Sequence, residues 1–198
     1  MLLKEYKTAE QYLQASKESL LMKELENNLI LGICYQIPNQ HEVTKNYQFL
    51  NVVDENELVA SAISTPLKII LASIEIEEGA IKLLADHISE YWCKQQGIVG
   101  PAIGVELFVK FFHKNIHRQM GLSLYGLSKF KHISMVEGRF VQATAIYRKQ
   151  LIDWSIKFYH EIESFPQKKE DAIQRLIDTL IDTMSLFCWV KAERPVSM

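Results

Sequence analysis

Lys68 to Ile74 reads Lys-Ile-Ile-Leu-Ala-Ser-Ile, a strand-like run with apolar residues on both faces. A strand with one wet face alternates apolar and polar residues. A strand without that alternation belongs inside a sheet that is covered above and below. The covering layers need helices with one apolar stripe, and the chain supplies them. Glu77 to Gln96 carries Ile81, Leu84, Ala85, Ile88 and Trp92 at helical spacing, and Gly97 suits its C-terminal cap. Ile98-Val99 is a short buried strand. Gly100-Pro101 turns the chain into another helix, striped by Val105, Phe108, Val109, Phe112 and Ile116. Strand, amphipathic helix and strand in succession predict an α/β fold.

The flanks agree with this reading. Thr8 opens a capping box with Gln11, and a helix follows to Glu24. Leu25 to Ile37 is a second helix with Leu29, Ile33 and Ile37 on one side, ended by Pro38-Asn39-Gln40. Tyr47 to Val53 and Leu58 to Ser64 form a hairpin around Asp54-Glu55-Asn56-Glu57, and Pro66 stops its second strand. Gly121 to Ser128 is strand-like, and Ser134 to Gly138 reads as a linker.

After the linker the order restarts. Phe140 to Ala143 is a strand. Tyr147, Leu151, Trp154, Phe158 and Ile162 mark a helix, broken by Phe165-Pro166. Ala172, Ile173, Leu176, Ile177, Leu180 and Met184 mark another. Leu186 to Val190 is a strand, Lys191 to Arg194 a turn, and Val196 to Met198 the start of a further strand. The second part therefore repeats the opening of the first in topology, without a tight sequence period. The predicted division is 1–137 and 138–198.

Composition narrows the class. At 198 residues, 48% hydrophobic and 23% charged, the chain is that of an ordinary globular protein. Lys68 and Glu75 break the longest apolar stretch, Leu67 to Ile76, so no membrane span is expected. The N-terminus Met1-Leu2-Leu3-Lys4-Glu5 lacks the basic start and apolar core of a signal peptide, and the expected location is cytoplasmic. Three cysteines far apart, Cys34, Cys93 and Cys188, then read as reduced, mostly buried thiols. Net charge is −2, but residues 110–149 hold eight Lys and Arg against Glu137 alone. Such a belt can meet phosphates. Without aromatic residues interleaved on a sheet it reads first as a solvated helix face and linker, and nucleic acid is not the expected partner.

Four stretches carry a resemblance. They are Glu26-Asn27-Asn28-Leu29-Ile30-Leu31-Gly32; Gly97-Ile98-Val99-Gly100-Pro101; Gln142-Ala143-Thr144 followed by Trp154, Phe158 and Glu161; and Trp189 through Pro195-Val196-Ser197-Met198. In order and spacing the chain resembles the N-terminal portion of a GNAT superfamily N-acetyltransferase from a two-repeat bacterial subfamily. The resemblance implies a GNAT-like mixed sheet flanked by helices, followed by an incomplete second GNAT-like repeat. It implies acetyl-CoA as cosubstrate and an amine acceptor, small molecule or peptide, that the sequence does not specify. The usual Arg-x-Ala-Thr-x-x-Asp opening is altered: with Ala143-Thr144 aligned, Tyr147 stands at the Asp position.

The implied chemistry can be set against the residues present. GNAT proteins hold the coenzyme A pyrophosphate on a Gln/Arg-x-x-Gly-x-Gly/Ala turn at a helix N-terminus. The equivalent place, Ser73 to Ala80, reads Ser-Ile-Glu-Ile-Glu-Glu-Gly-Ala, with one Gly, no Arg and three carboxylates. Gln96 to Ala102 imitates the motif, but it has one residue too many and Pro101 removes an N–H. The counterpart in the second repeat would lie past Met198. The expectation is that this chain alone binds no acetyl-CoA and is inactive alone. Catalytic and cofactor-binding residues are not assigned. Tyr159 and Glu161 are the acceptor-side candidates.

Other constellations read as structural. His113 and His117 are i, i+4 without a third ligand, Asp178 and Asp182 form a solvated pair, and Cys34 sits in an apolar helix. No metal site is expected. The alternative to an acetyltransferase part is a non-catalytic binding or dimerisation module on the same fold. The strand begun at Pro195 has no complete partner in this reading. It is expected to join the edge of the first sheet or to pair with a second molecule in a homodimer.

Overall fold

The computed structural model describes residues 1–37, 46–91, 97–112, 117, 119–129, 136–161 and 170–198. The expectations for Pro38 to Gln40, Trp92, Cys93, Gln96, His113, Ile116, Ile162 and Phe165-Pro166 fall outside the described residues. Two units are distinguished, Met1–Gly126 and Leu127–Met198.

The first unit is a five-stranded sheet in the order β1-β2-β3-β4-β5. Its elements are β1 (Leu2–Tyr6), α1 (Ala9–Leu21), α2 (Glu24–Gln36), β2 (Gln48–Asp54), β3 (Glu57–Ser64), β4 (Lys68–Leu71), α3 (Glu78–Tyr91), β5 (Gly97–Val99) and α4 (Ala102–Phe111). Neighbours from β1 to β4 are antiparallel, and β4 to β5 is parallel. The sheet is therefore mixed. Thr8 caps α1, accepting from the Gln11 N–H at 3.2 Å.

As the two apolar faces of β4 require, both sides of the sheet are covered. On one side Leu50, Val52, Ala62, Ile69 and Leu71 meet Ile81, Leu84, Ala85 and Ile88 of α3 and Phe108 of α4. On the other, Phe49, Ile63 and Ile70 meet Tyr12 and Leu20 of α1 and Ile30 and Cys34 of α2. Full burial of each such Leu, Ile or Phe contributes on the order of 2 kcal/mol.

Several expectations are corrected. β1 was not expected: Lys4 and Glu5 hide its alternation, and it is an edge strand held by β2 alone. Of the expected α2 stripe, Ile33 and Ile37 pack against the core, but Leu29 is 44% exposed, and Asn27, Ile30, Leu31 and Cys34 are the buried residues. Asn27 fixes that rotation. Its Nδ2 donates to Leu20 O at 3.0 Å and Ser73 O at 3.1 Å, and its Oδ1 accepts from Ser73 N at 2.7 Å. β4 ends at Leu71, short of Ile74. The Gly121 to Ser128 run is irregular and exposed: it alternates, but among the described residues no strand edge pairs with it.

The second unit contains β6 (Arg139–Gln142), a 3₁₀ turn (Ala145–Tyr147), α5 (Arg148–Glu161), α6 (Glu170–Asp182), β7 (Phe187–Lys191) and β8 (Arg194–Ser197). Its sheet order is β6-β7-β8, all antiparallel. The two helices cover one face, where Val141, Cys188 and Val190 pack with Leu151 and Ile177. The last strand has a partner within the unit: β8 pairs with β7 in a hairpin. Tyr147, placed where an Asp cap was expected, lies in the 3₁₀ turn, and Thr144 makes no side-chain cap bond.

The two units match in detail. Each runs strand, helix, helix, strand, strand. In the first, Leu2 pairs with Val53 and Asp54 with Glu57; in the second, Arg139 pairs with Val190 and Lys191 with Arg194. The same offset in sequence relates every one of these pairs. Both hairpins turn through two residues with positive φ, Glu55-Asn56 and Ala192-Glu193, the backbone twist that two-residue hairpins need. Each then carries one extra residue at the same place. Val52 pairs with Ala60 while Val53 pairs with Leu58, and Trp189 pairs with Ser197 while Val190 pairs with Pro195. Among the described residues no helix is long and apolar enough to cross a membrane.

Candidate functional site

In the first unit the place that the resemblance assigns to a pyrophosphate is the turn between β4 and α3. Its backbone is already engaged. Asn27 brackets Ser73 from both sides, and Lys23 Nζ donates to Ile74 O at 3.4 Å. At the start of α3 the side chains are carboxylates. Lys110 Nζ is 2.7 Å from Glu78 Oε1 and committed to it. The Met1 side chain rests against Gly79, its Cε 3.2 Å from where a Cβ would stand. The Met1 ammonium is 2.8 Å from Asp54 Oδ1, which holds its pKa above the usual value, with Glu77 and Glu55 adding to the effect. A helix N-terminus attracts anions, but this one is furnished with its own. The residues present do not fit a pyrophosphate.

Tyr159 and Glu161 sit in the second unit, in the last turn of α5. Tyr159 is half-buried with its ring edge-on to Phe158 at 5.9 Å, and Glu161 is exposed. His117 is exposed, and among the described residues no group of three His, Cys, Asp or Glu could hold a metal. Cys34 and Cys188 are buried free thiols. Burial pushes the Cys34 thiol up to about 12 and raises that of Cys188, so neither is a nucleophile at neutral pH.

The basic belt is in part a solvated face that carries ion pairs. Three of its eight basic residues pair with carboxylates far away in sequence: Lys110 with Glu78, Arg139 with Glu193, and Arg148 with Asp178. The belt's one acid, Glu137, pairs with Lys191 at 2.9 Å. Of the Asp178 and Asp182 pair, Asp182 is exposed as expected and Asp178 is not simply solvated. Asp178 accepts two bonds from the Arg148 guanidinium, at 2.5 and 2.7 Å, which ties α5 to α6.

That clamp has a pH signature. The Arg148 hydrogen bonds hold the Asp178 carboxyl below its ordinary 3.8. A carboxyl depressed by folding contributes stability that is complete above the unfolded value and is lost as pH falls through the folded one. The second unit is therefore expected to lose stability below about pH 4, and Asp178→Asn to flatten that part of the profile. Urea midpoints of the two proteins between neutral pH and pH 2.5 check this; parallel profiles would refute it.

Sequence reasoning missed one buried polar chain. Tyr12 Oη lies 2.5 Å from Ser61 Oγ, which donates to Asn51 Oδ1 at 2.7 Å, while Ser16 Oγ bonds Tyr12 O. Tyr12 is fully buried, and desolvation raises its pKa beyond the usual range. It stays neutral and serves as a hydrogen-bonded core residue. Only the cross-strand pairing of Asn51 with Ser61 brings these groups together, and periodicity does not carry that.

No protein-family model, curated protein or solved structure matches this chain.

Proposed function

We propose that the chain belongs to a GNAT-type N-acetyltransferase in which Met1–Gly126 is a degenerate repeat that takes no acetyl-CoA, and Leu127–Met198 opens a second repeat. The observation that carries the reading is the pairing pattern: an antiparallel β1-β2-β3-β4 run, one parallel step to β5, and a strand-helix-helix-strand-strand opening repeated in matching register. Acetyl transfer requires an amine to attack the thioester carbonyl, a base or water to take its proton, and N–H groups to hold the developing oxyanion. None of these roles falls to a described residue. The first repeat is then a platform, and its acidic β4-α3 turn keeps phosphates away from it.

Calorimetric titration of the 198-residue chain with coenzyme A is expected to give no saturable heat up to about 1 mM, an affinity weaker than about −4 kcal/mol. Low-micromolar binding that Lys110→Ala or Lys149→Ala weakens would overturn the reading and place a phosphate site in the basic belt.

The alternative, a non-catalytic binding module, is favoured by one observation. The face of the second sheet away from α5 and α6 is apolar and, among the described residues of its unit, uncovered.

A further inference from the structure

Phe140, Phe187, Trp189 and Val196 share the face of the second sheet that α5 and α6 leave open, and with Met198 they line a shallow groove of about 560 Å³. Phe140 and Phe187 stack across β6 and β7, with ring centroids 5.2 Å apart and planes within 8°. Phe140 is 65%, Phe187 42% and Val196 55% exposed. Contiguous apolar surface of this kind on a folded unit marks a binding face.

The register match says what such a face receives. Phe140 and Trp189 pair as Leu3 and Val52 do in the first unit. Phe187 corresponds to Leu50, and Val196, the extra residue of its hairpin, to Val59. In the first unit that face is closed. Leu50 and Val52 are 0% exposed, and Leu3 and Val59 pack against the same cluster. What closes it is chiefly α3, through Ile81, Leu84, Ala85 and Ile88. The charges differ in a directed way. In the first unit the acidic start of α3 lies near the Met1 ammonium, which Asp54 and Glu77 both stabilise. In the second, the position of Asp54 is taken by a cation, Lys191, whose ion pair with Glu137 is solvent-exposed and open to competition.

We propose that this face docks an amphipathic helix supplied from outside residues 1–198, with an aliphatic stripe at i, i+3, i+4 and i+7 and an acidic first turn that meets Lys191. The proposal rests on the register match and on exposure, and does not need the acetyltransferase reading. A helix-in-groove contact draws its affinity from the stripe, and its orientation from the charged end.

The probe is a fluorescent peptide of residues 75–91 of this chain, which carries Glu77, Glu78 and the whole stripe and has no Trp. Added to the full chain, it is expected to raise anisotropy saturably at tens of micromolar. Phe140→Glu and Val196→Glu should each weaken binding at least tenfold, and Lys191→Glu a few fold. A peptide with Leu84→Asp should not bind. All three protein variants alter exposed side chains, so unchanged far-UV circular dichroism shows that they still fold. No saturation by about 0.5 mM, or binding indifferent to Phe140→Glu, would overturn the proposal. So would a sedimentation experiment in which the chain is a dimer that excludes the peptide and that Phe140→Glu dissociates: the occupant would then be a second copy.

Discussion

Leu84→Asp is expected to abolish cooperative folding of the first unit. Leu84 is 0% exposed, in the middle of the α3 stripe, with the aliphatic face of β2 and β3 opposite. The substitution removes on the order of 2 kcal/mol of apolar burial and forces a carboxylate into a site with no partner, which costs several kcal/mol more. A domain whose whole stability is about 5–15 kcal/mol does not survive that. Phe108→Asp, also at a fully buried position, should act alike. The neighbouring Leu83 is 38% exposed, and Leu83→Asp should stay within about 0.5 kcal/mol of the parent. Hydrogen exchange read on β2 and β3 peptides separates the cases, since protection should vanish in the first two variants and persist in the third. Protection equal to the parent in Leu84→Asp would show that the core has been placed wrongly.

Gly138→Ala should disrupt the second unit almost as strongly for a backbone reason. Gly138 has φ of +135°, a region that residues with a Cβ rarely enter. An added Cβ would overlap the Trp189 indole at Nε1 and come within 2.8 Å of Val190 O. The indole N–H now donates to Glu137 O at 3.3 Å, which holds the ring over the entry to β6. Losing the backbone geometry and this contact together should cost about 2–4 kcal/mol and turn the indole toward water. A lower urea midpoint and red-shifted tryptophan emission are the expected signs. Parent-like values for both would refute the account.

The fold was legible where burial writes a period into the chain. The α3 stripe and the two apolar faces of β4 could hardly be read otherwise, and the hairpin at Asp54 to Glu57 announced itself by polarity. What was not legible depends on partners distant in sequence. β1 is a strand because β2 offers it an edge, while Gly121 to Ser128, with a better alternation, has none among the described residues. α2 is apolar on several sides, and the amide of Asn27, bonding Leu20 and Ser73, decides which side is buried. The same holds for the site. The acidic character of the β4-α3 turn was visible, but the carboxylates that pair with three residues of the basic belt, Glu78, Asp178 and Glu193, come from other elements.

The paired hairpins also show where the likeness of the two units lies. From Leu50 to Ala60 and from Phe187 to Ser197 the two stretches share their register, their two-residue turn and the position of their extra residue. Laid side by side they share only two side chains, both valines: Val53 with Val190, and Val59 with Val196. One of those valines stands at the extra residue itself. The likeness between the two units thus lies in where the backbone bends, and a comparison that counts identical letters passes over it.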